Sequence, residues 1–230
     1  MSRLSVGSTY TGVLGLCQKS FFTALASHTF GSYFRPNEQQ RTPDMAAKSL
    51  IKTGQVLLAE PFMQDPYFRR AVVLLCEHHD EGSIGFILNK SIDVNVNELM
   101  GDFPQFEAEV FYGGPVQTDT LHYIHNIGDL LEESVKIADG VWWGGDFEKL
   151  KFLITSGLAE PHNIRFFVGY SGWSGGQLAE EMEYGSWVAA QMDANYVFKT
   201  QPGQLWSQVM YNKGDLFEII ADMPDMVSWN

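Results

Sequence analysis

The chain has little cysteine, little positive charge and no long apolar run. Two cysteines, Cys17 and Cys76, among 230 residues make no disulfide framework. No CxxC pair or Cys/His spacing offers a zinc site, so neither a metal nor a cofactor is expected. Cys76 lies inside the run AVVLLC and reads as a small buried hydrophobe, which suits a reducing cytosol. No apolar stretch approaches the ~20 residues that a bilayer-spanning helix needs. A cytoplasmic location is therefore expected, with no membrane among the partners. Fifteen Lys and Arg face 28 Asp and Glu, for a formal net charge of −13. Affinity for nucleic acid comes largely from basic side chains that release counterions from phosphates, so DNA is disfavoured. The nearest basic patch is only Arg69-Arg70. A small molecule or another protein is the expected partner.

What is present suffices for a folded domain. Hydrophobic residues make up 45% of the chain and aromatics 13%, enough for one sizeable core. The first 44 residues differ from the rest: four Lys or Arg, two Asp or Glu, much Ser, Thr, Gly and Phe, and no sustained period of 2 or 3.6. A weak secretory signal around FFTALAS and a transit peptide are competing readings. The preferred one is a disordered extension, or a start assigned upstream of Met45. Residues 45–230 are expected to form a single domain, with the fold beginning near Lys52.

Along that domain, GQVLLAEPF from Gly54 reads as a strand stopped by Pro61. AVVLLCE and SIGFILNK, separated by HHDEG, read as a hairpin. VNVNELM suggests one helical turn, and AEVFYGGPV and LHYIHN read as strands. SVKIADGVWWGG supplies two short strands around Asp139-Gly140, a hairpin dipeptide. Asp146 is a good N-cap type. It opens a helix with an apolar stripe of Phe147, Leu150, Ile154 and Leu158. IRFFVGY reads as a strand ahead of the loop that follows it, and QLAEEMEY reads as a helix ended by Gly185. SWVAAQ reads as a strand, and GQLWSQVMYNKG as a helix with Leu205/Val209 and Trp206/Met210 four apart. Strands come early, helices come late and short, and no βαβ rhythm appears. The pattern is α+β, a mixed and largely antiparallel sheet with helices on one side.

The stretch GYSGWSGGQL, Gly169 to Leu178, raises the question of chemistry. Gly172-x-Ser174-x-Gly176 matches the pattern that exposes a serine nucleophile on a strand-to-helix turn. A hydrolase using Ser174, with a base among His78, His79 and His122, is one alternative. Yet no histidine follows Ser174, and a tight Gly/Ser turn explains the stretch without chemistry. Nor is the loop a phosphate cradle, because Glu180, Glu181 and Glu183 occupy the helix start and would repel the ligand. His78, His79, Asp80 and Glu81 sit in a turn and point different ways, as a solvated turn does. His122 and His125, three apart in a strand, face opposite sides. Trp142, Trp143 and Trp173 could form a binding platform, with core packing the simpler reading.

GQVLLAEPFMQDPYFRRAVVLLCEHHDEGSIGFILNK, FYGGPV with the histidine of LHYIH, and FFVGYSGWSGGQLAEEMEYGSWVAA together resemble the YqgE/AlgH family of bacterial proteins, and QDPYFRRAVVLLCEH its Bacteroidetes branch. The resemblance implies a curved mixed sheet, mostly antiparallel, rolled into a partial barrel with flanking helices. It also implies a cytosolic protein without established catalytic activity. One branch has a name linked to transcriptional regulation, so a transcriptional regulator is a further alternative. Ser174 and Gly175 fall where that family tolerates variation, and Ser91 stands where it commonly has proline. The residues matching the family motifs give the candidate ligand site: Asn89, Gly113, Gly114, His122, Gly172, Trp173 and Gln177. The resulting expectation is a non-catalytic binding or regulatory module.

Overall fold

The computed structural model describes residues 5–6, 51–214 and 216–223. The reading of residues 1–44 falls outside the described residues except at Ser5–Val6. Those two residues and the described residues from Lys52 on belong to one compact unit.

In chain order the first strands are β1 (Ser5–Val6), β2 (Gln55–Ala59), β3 (Val72–His79), β4 (Gly82–Ile87) and β5 (Ser91–Asn95). A single helical turn, α1 (Val96–Leu99), precedes β6 (Glu109–Tyr112), β7 (Val116–His125), β8 (Val135–Ala138) and β9 (Val141–Trp143). Then come α2 (Phe147–Thr155), a 3-10 turn at Pro161–Asn163, β10 (Ile164–Ser174), α3 (Gln177–Glu183) and β11 (Trp187–Gln191). Three helices follow: α4 (Asn195–Phe198), α5 (Pro202–Lys213) and α6 (Leu216–Ala221).

Local signals form as their chemistry requires. His79 pairs with Gly82, so Asp80 and Glu81 alone make the β3–β4 turn. The β8–β9 turn places Gly140 at φ +71°, a conformation that glycine adopts without steric cost. The Asp146 carboxylate accepts from the Lys149 backbone N–H at 2.6 Å and so caps α2. Two expectations need correction. Leu158 lies beyond the end of α2 and is 55% exposed, since Gly157 adopts φ +68° and turns the chain away. The run IRFFVGY does not stop at Tyr170: β10 continues to Ser174, because Ser171–Ser174 pair with Gly82–Gly85 of β4.

The sheet follows the order β11-β2-β3-β4-β10-β7-β9-β8, with β6 on β10, β5 on β6 and β1 on β7. All pairings are antiparallel except β1 with β7 and β6 with β10, both parallel. The sheet curls until β8 meets the start of β2: a Cβ on Gly54 would lie 2.4 Å from the Ile137 carbonyl oxygen. This is a half-barrel.

β10 is its spine. Phe166–Val168 lie between β6 and β7, whereas Ser171–Ser174 pair with β4. The change of partner occurs at Gly169–Tyr170, where the register with β7 also shifts. There the backbones touch: a Cβ on Gly113 would lie 2.2 Å from the Gly169 oxygen, and one on Gly114 2.3 Å from the Ser171 nitrogen. The Gly113 oxygen accepts from the Ile87 N–H at 3.0 Å and from the Ser171 hydroxyl at 3.0 Å, and the Gly113 N–H donates to Val168.

Alternate residues of β6 and β10 enter two different cores. Phe111 and Phe167 join Leu74, Phe86, Leu205 and Trp206 inside the curl. Val110 and Phe166 join Phe103, Phe106, Leu150 and Leu153 on the other face. Helices therefore cover both faces, α5 one and α2 the other, and not one side as the order of elements suggests. Strands apolar on both faces need cover on both.

Replacing Gly113 with alanine forces a methyl into a backbone oxygen that no rotamer change can move. The expected cost is about 2–3 kcal/mol, a clear drop in Tm by thermal denaturation. Gly101→Ala, where a Cβ meets nothing within 4 Å, should leave Tm unchanged.

Candidate functional site

At the end of β10 the side chains form one polar chain. The backbone N–H and hydroxyl of Ser174 donate to Gln177 Oε1 at 3.0 and 3.2 Å. Gln177 Nε2 donates to Glu181 Oε1 at 2.9 Å, four residues on along α3. Glu181 Oε2 accepts from both indoles, Trp173 at 3.0 Å and Trp187 at 2.7 Å. Those rings meet edge to face with centroids 5.8 Å apart. A carboxylate held by charge-assisted bonds thus ties β10, α3 and β11 together, and Gln177 and Trp173 are occupied in doing so. Ser174 leans on an amide oxygen, which cannot act as a base. His78 Nδ1 lies 2.7 Å from Ser83 Oγ, His79 Nε2 3.2 Å from Glu77, and His122 Nε2 3.0 Å from Thr120 Oγ1.

Four of the family-matching residues come together around Phe86 and Tyr170. The His122 ring lies 5.2 Å from that of Phe86 and 6.0 Å from that of Tyr170. Gly113 abuts the Phe86 ring, Gly114 the Tyr170 backbone and Gly172 the Tyr170 ring. Asn89 stands elsewhere, accepting from the Val72 N–H at 2.9 Å and donating to the Arg70 oxygen at 2.8 Å. His122 and His125 face opposite sides, as their spacing requires. Burial lowers each to a pKa of about 4. His125 Nε2 lies 2.9 Å from the Gly144 carbonyl, which fixes the proton on that nitrogen. Among the described residues, no group of three His, Cys, Asp or Glu side chains could hold a metal ion.

A cleft of about 250 Å³ opens between the start of β6, the 3-10 turn, the start of β10 and the segment joining α4 to α5. Its walls include Glu107, Glu109, Phe111, Arg165, Lys199 and Gln201, and none of the seven family-matching residues. Phe166 pairs in parallel with Val110, so one step earlier Arg165 is level with Glu109. Glu109 and Phe111 share a face by the two-residue period of a strand, and Glu107 lines the cleft from just before β6. The Arg165 guanidinium lies 4.4 Å above the Phe111 ring and donates Nη1 to the Leu88 oxygen at 2.9 Å. Burial lowers its pKa to about 10, with Glu109 acting in the opposite sense, so it stays charged at neutral pH. Among the described residues no carboxylate comes within 4 Å of it. Sequence reading passed over this site. The available signal was one arginine inside the apolar run IRFFV, with two glutamates at strand spacing in EAEVF.

Residues 56–217 match the AlgH-like family model. The chain belongs to the AlgH-like family. Relatives named UPF0301 proteins include one from Chlorobaculum tepidum, 41% identical over 181 residues, which span 79% of this chain and 97% of the relative. Another from Cytophaga hutchinsonii is 40% identical over 176 residues, 76% and 97% of the two chains. The solution structure of the AlgH protein from Pseudomonas aeruginosa superposes with a TM-score of 0.60 at 26% identity, covering 75% of this chain and 94% of that one. A crystal structure of a Corynebacterium diphtheriae protein shares the fold, with a TM-score of 0.62 at 23% identity and coverage of 75% and 93%. No helix among the described residues is long and apolar enough to cross a membrane.

The two lowered histidines give this AlgH-like domain a testable pH dependence. Between the ordinary value of 6.5 and the folded value of about 4, the unfolded chain binds more protons than the folded one. Stability is therefore complete above pH 6.5 and falls as pH drops below it. Tm should decrease from pH 7 to pH 5, above the range where ordinary carboxylates titrate. His122→Phe, which keeps a ring among Phe86 and Tyr170, should make that decrease shallower.

Proposed function

We propose that the protein is a cytosolic, non-catalytic binding or regulatory module and that the cleft over Arg165 takes its ligand. The observation that carries this reading is the Arg165 guanidinium: partly buried over the Phe111 ring, without a carboxylate partner among the described residues, and opening into a cleft. A buried charge is normally paired, and an anionic group on a ligand supplies the missing partner. The Ser174 hydroxyl, bonded to Gln177 Oε1, supports binding over hydrolysis. A net charge of −13 weighs against DNA recognition by a transcriptional regulator. A second reading places the ligand where Gly113, Gly114, His122 and Gly172 meet around Tyr170.

A ¹H–¹⁵N titration of the full chain with a panel of small metabolites separates these readings. The cleft reading expects shifts concentrated at Arg165, Thr200 and Gln201. Shifts concentrated at His122, Gly113 and Gly172 would favour the second. A fluorophosphonate adduct lost in Ser174→Ala would overturn both in favour of a hydrolase.

A further inference from the structure

The cleft carries charges of both signs, and the two signs are placed differently. Arg165 is the inner charge: its guanidinium lies over Phe111 and is fixed by its bond to the Leu88 oxygen. Glu107 and Glu109 stand on exposed positions at the start of β6 and line the same cleft. Lys199, also exposed, lines the opposite wall from the segment between α4 and α5. A dianionic phosphate on Arg165 would have two carboxylates for neighbours, and like charges at such range are repulsive. A simple cation would meet the buried guanidinium. A molecule bearing both charges, with its carboxylate inward and its ammonium toward the glutamates, satisfies Arg165, Glu107 and Glu109 together. Size limits it further. At about 250 Å³ the cleft is smaller than the ~300–1,000 Å³ typical of drug-sized ligand sites. Pro161, Phe198 and Pro202, which reach the surface, add apolar area for a short side chain.

We infer that the cleft binds a small amphoteric molecule of the amino-acid or dipeptide class, its carboxylate on Arg165 and its ammonium between Glu107 and Glu109. This rests on the reading of the cleft as the ligand site. At pH 7 both ends of a free dipeptide are charged, the carboxyl near 3.5 and the α-amino group near 8 in ordinary pKa. An Arg–carboxylate pair can be bidentate, which fixes orientation as well as adding affinity. The glutamates then select the partner that carries an ammonium over one that does not.

Three probes differing only at their ends test this on the full chain by ¹H–¹⁵N titration: L-alanyl-L-alanine, its N-acetyl derivative and its C-terminal amide. The expected result is that the free dipeptide shifts the cleft amides with at least tenfold greater affinity than either blocked form. The Ser91 hydroxyl donates to Glu109 Oε1; Glu109→Gln, an exposed substitution whose amide oxygen can still accept that bond, should abolish the preference over the N-acetyl form. Arg165→Gln should abolish the preference over the amide, and Arg165→Lys, which keeps the charge, should retain part of it if the glutamine variant fails to fold. Equal affinity for the three probes would overturn the amphoteric assignment. So would no binding of any of them while another compound of the metabolite panel shifts the cleft amides, and that outcome leaves the cleft as a site. Silence of the cleft toward the dipeptides and the whole panel alike overturns both this inference and the reading it rests on.

Discussion

The fold depends on one close contact between backbones, where Gly113 and Gly114 lie against Gly169, Tyr170 and Ser171. Three strands converge there: β4 through the Ile87 N–H, β6 through Gly113 and β10 through Val168 and Ser171. No side chain fits between them, since a Cβ on Gly113, Gly114 or Gly169 would come within 2.5 Å of backbone atoms. The contact lets β10 leave β6 and pick up β4 without breaking the sheet. A strand that changes neighbours in this way links two sets of strands, and the linked sheet can curl until β8 reaches Gly54.

The same exchange of partners creates the cleft. Before the crossing, β6 runs parallel to β10, so side chains at their N-terminal ends project from the same end of the sheet. Arg165 and Glu109 become neighbours for that reason, though 56 positions separate them in the chain. Beyond the crossing, β10 ends in Trp173 and Ser174, and the polar chain from Ser174 through Gln177 to Glu181 fastens α3 and β11. Ligand chemistry and architecture thus sit at opposite ends of one strand. GYSGWSGGQL belongs to the architectural end: its serine is held by Gln177, and its indole by Glu181.

What could be read from the sequence was local. The turn at Asp80–Glu81, the Asp139-Gly140 hairpin, the Asp146 cap and the four-residue pairs of α5 each depend on residues a few positions apart. The length of β10 could not be read, because glycines at 169 and 172 look like a loop until β4 is seen alongside. Glu181 was legible only as a charge at the helix start; its two indole donors come from β10 and β11 and leave no local trace. Arg165 stands alone as a charge in the apolar run IRFFV. Its meaning comes from Glu109 and Lys199, which the chain brings to it only after folding.

Amide hydrogen exchange at the crossing tests the central claim most directly. If the Gly113 contact holds the two strand sets together, the Ile87 and Gly113 amides should exchange only through global unfolding, with the full denaturant dependence of the domain. Rapid exchange of these two amides by local opening, while the rest of β3, β4 and β10 stays protected, would contradict it.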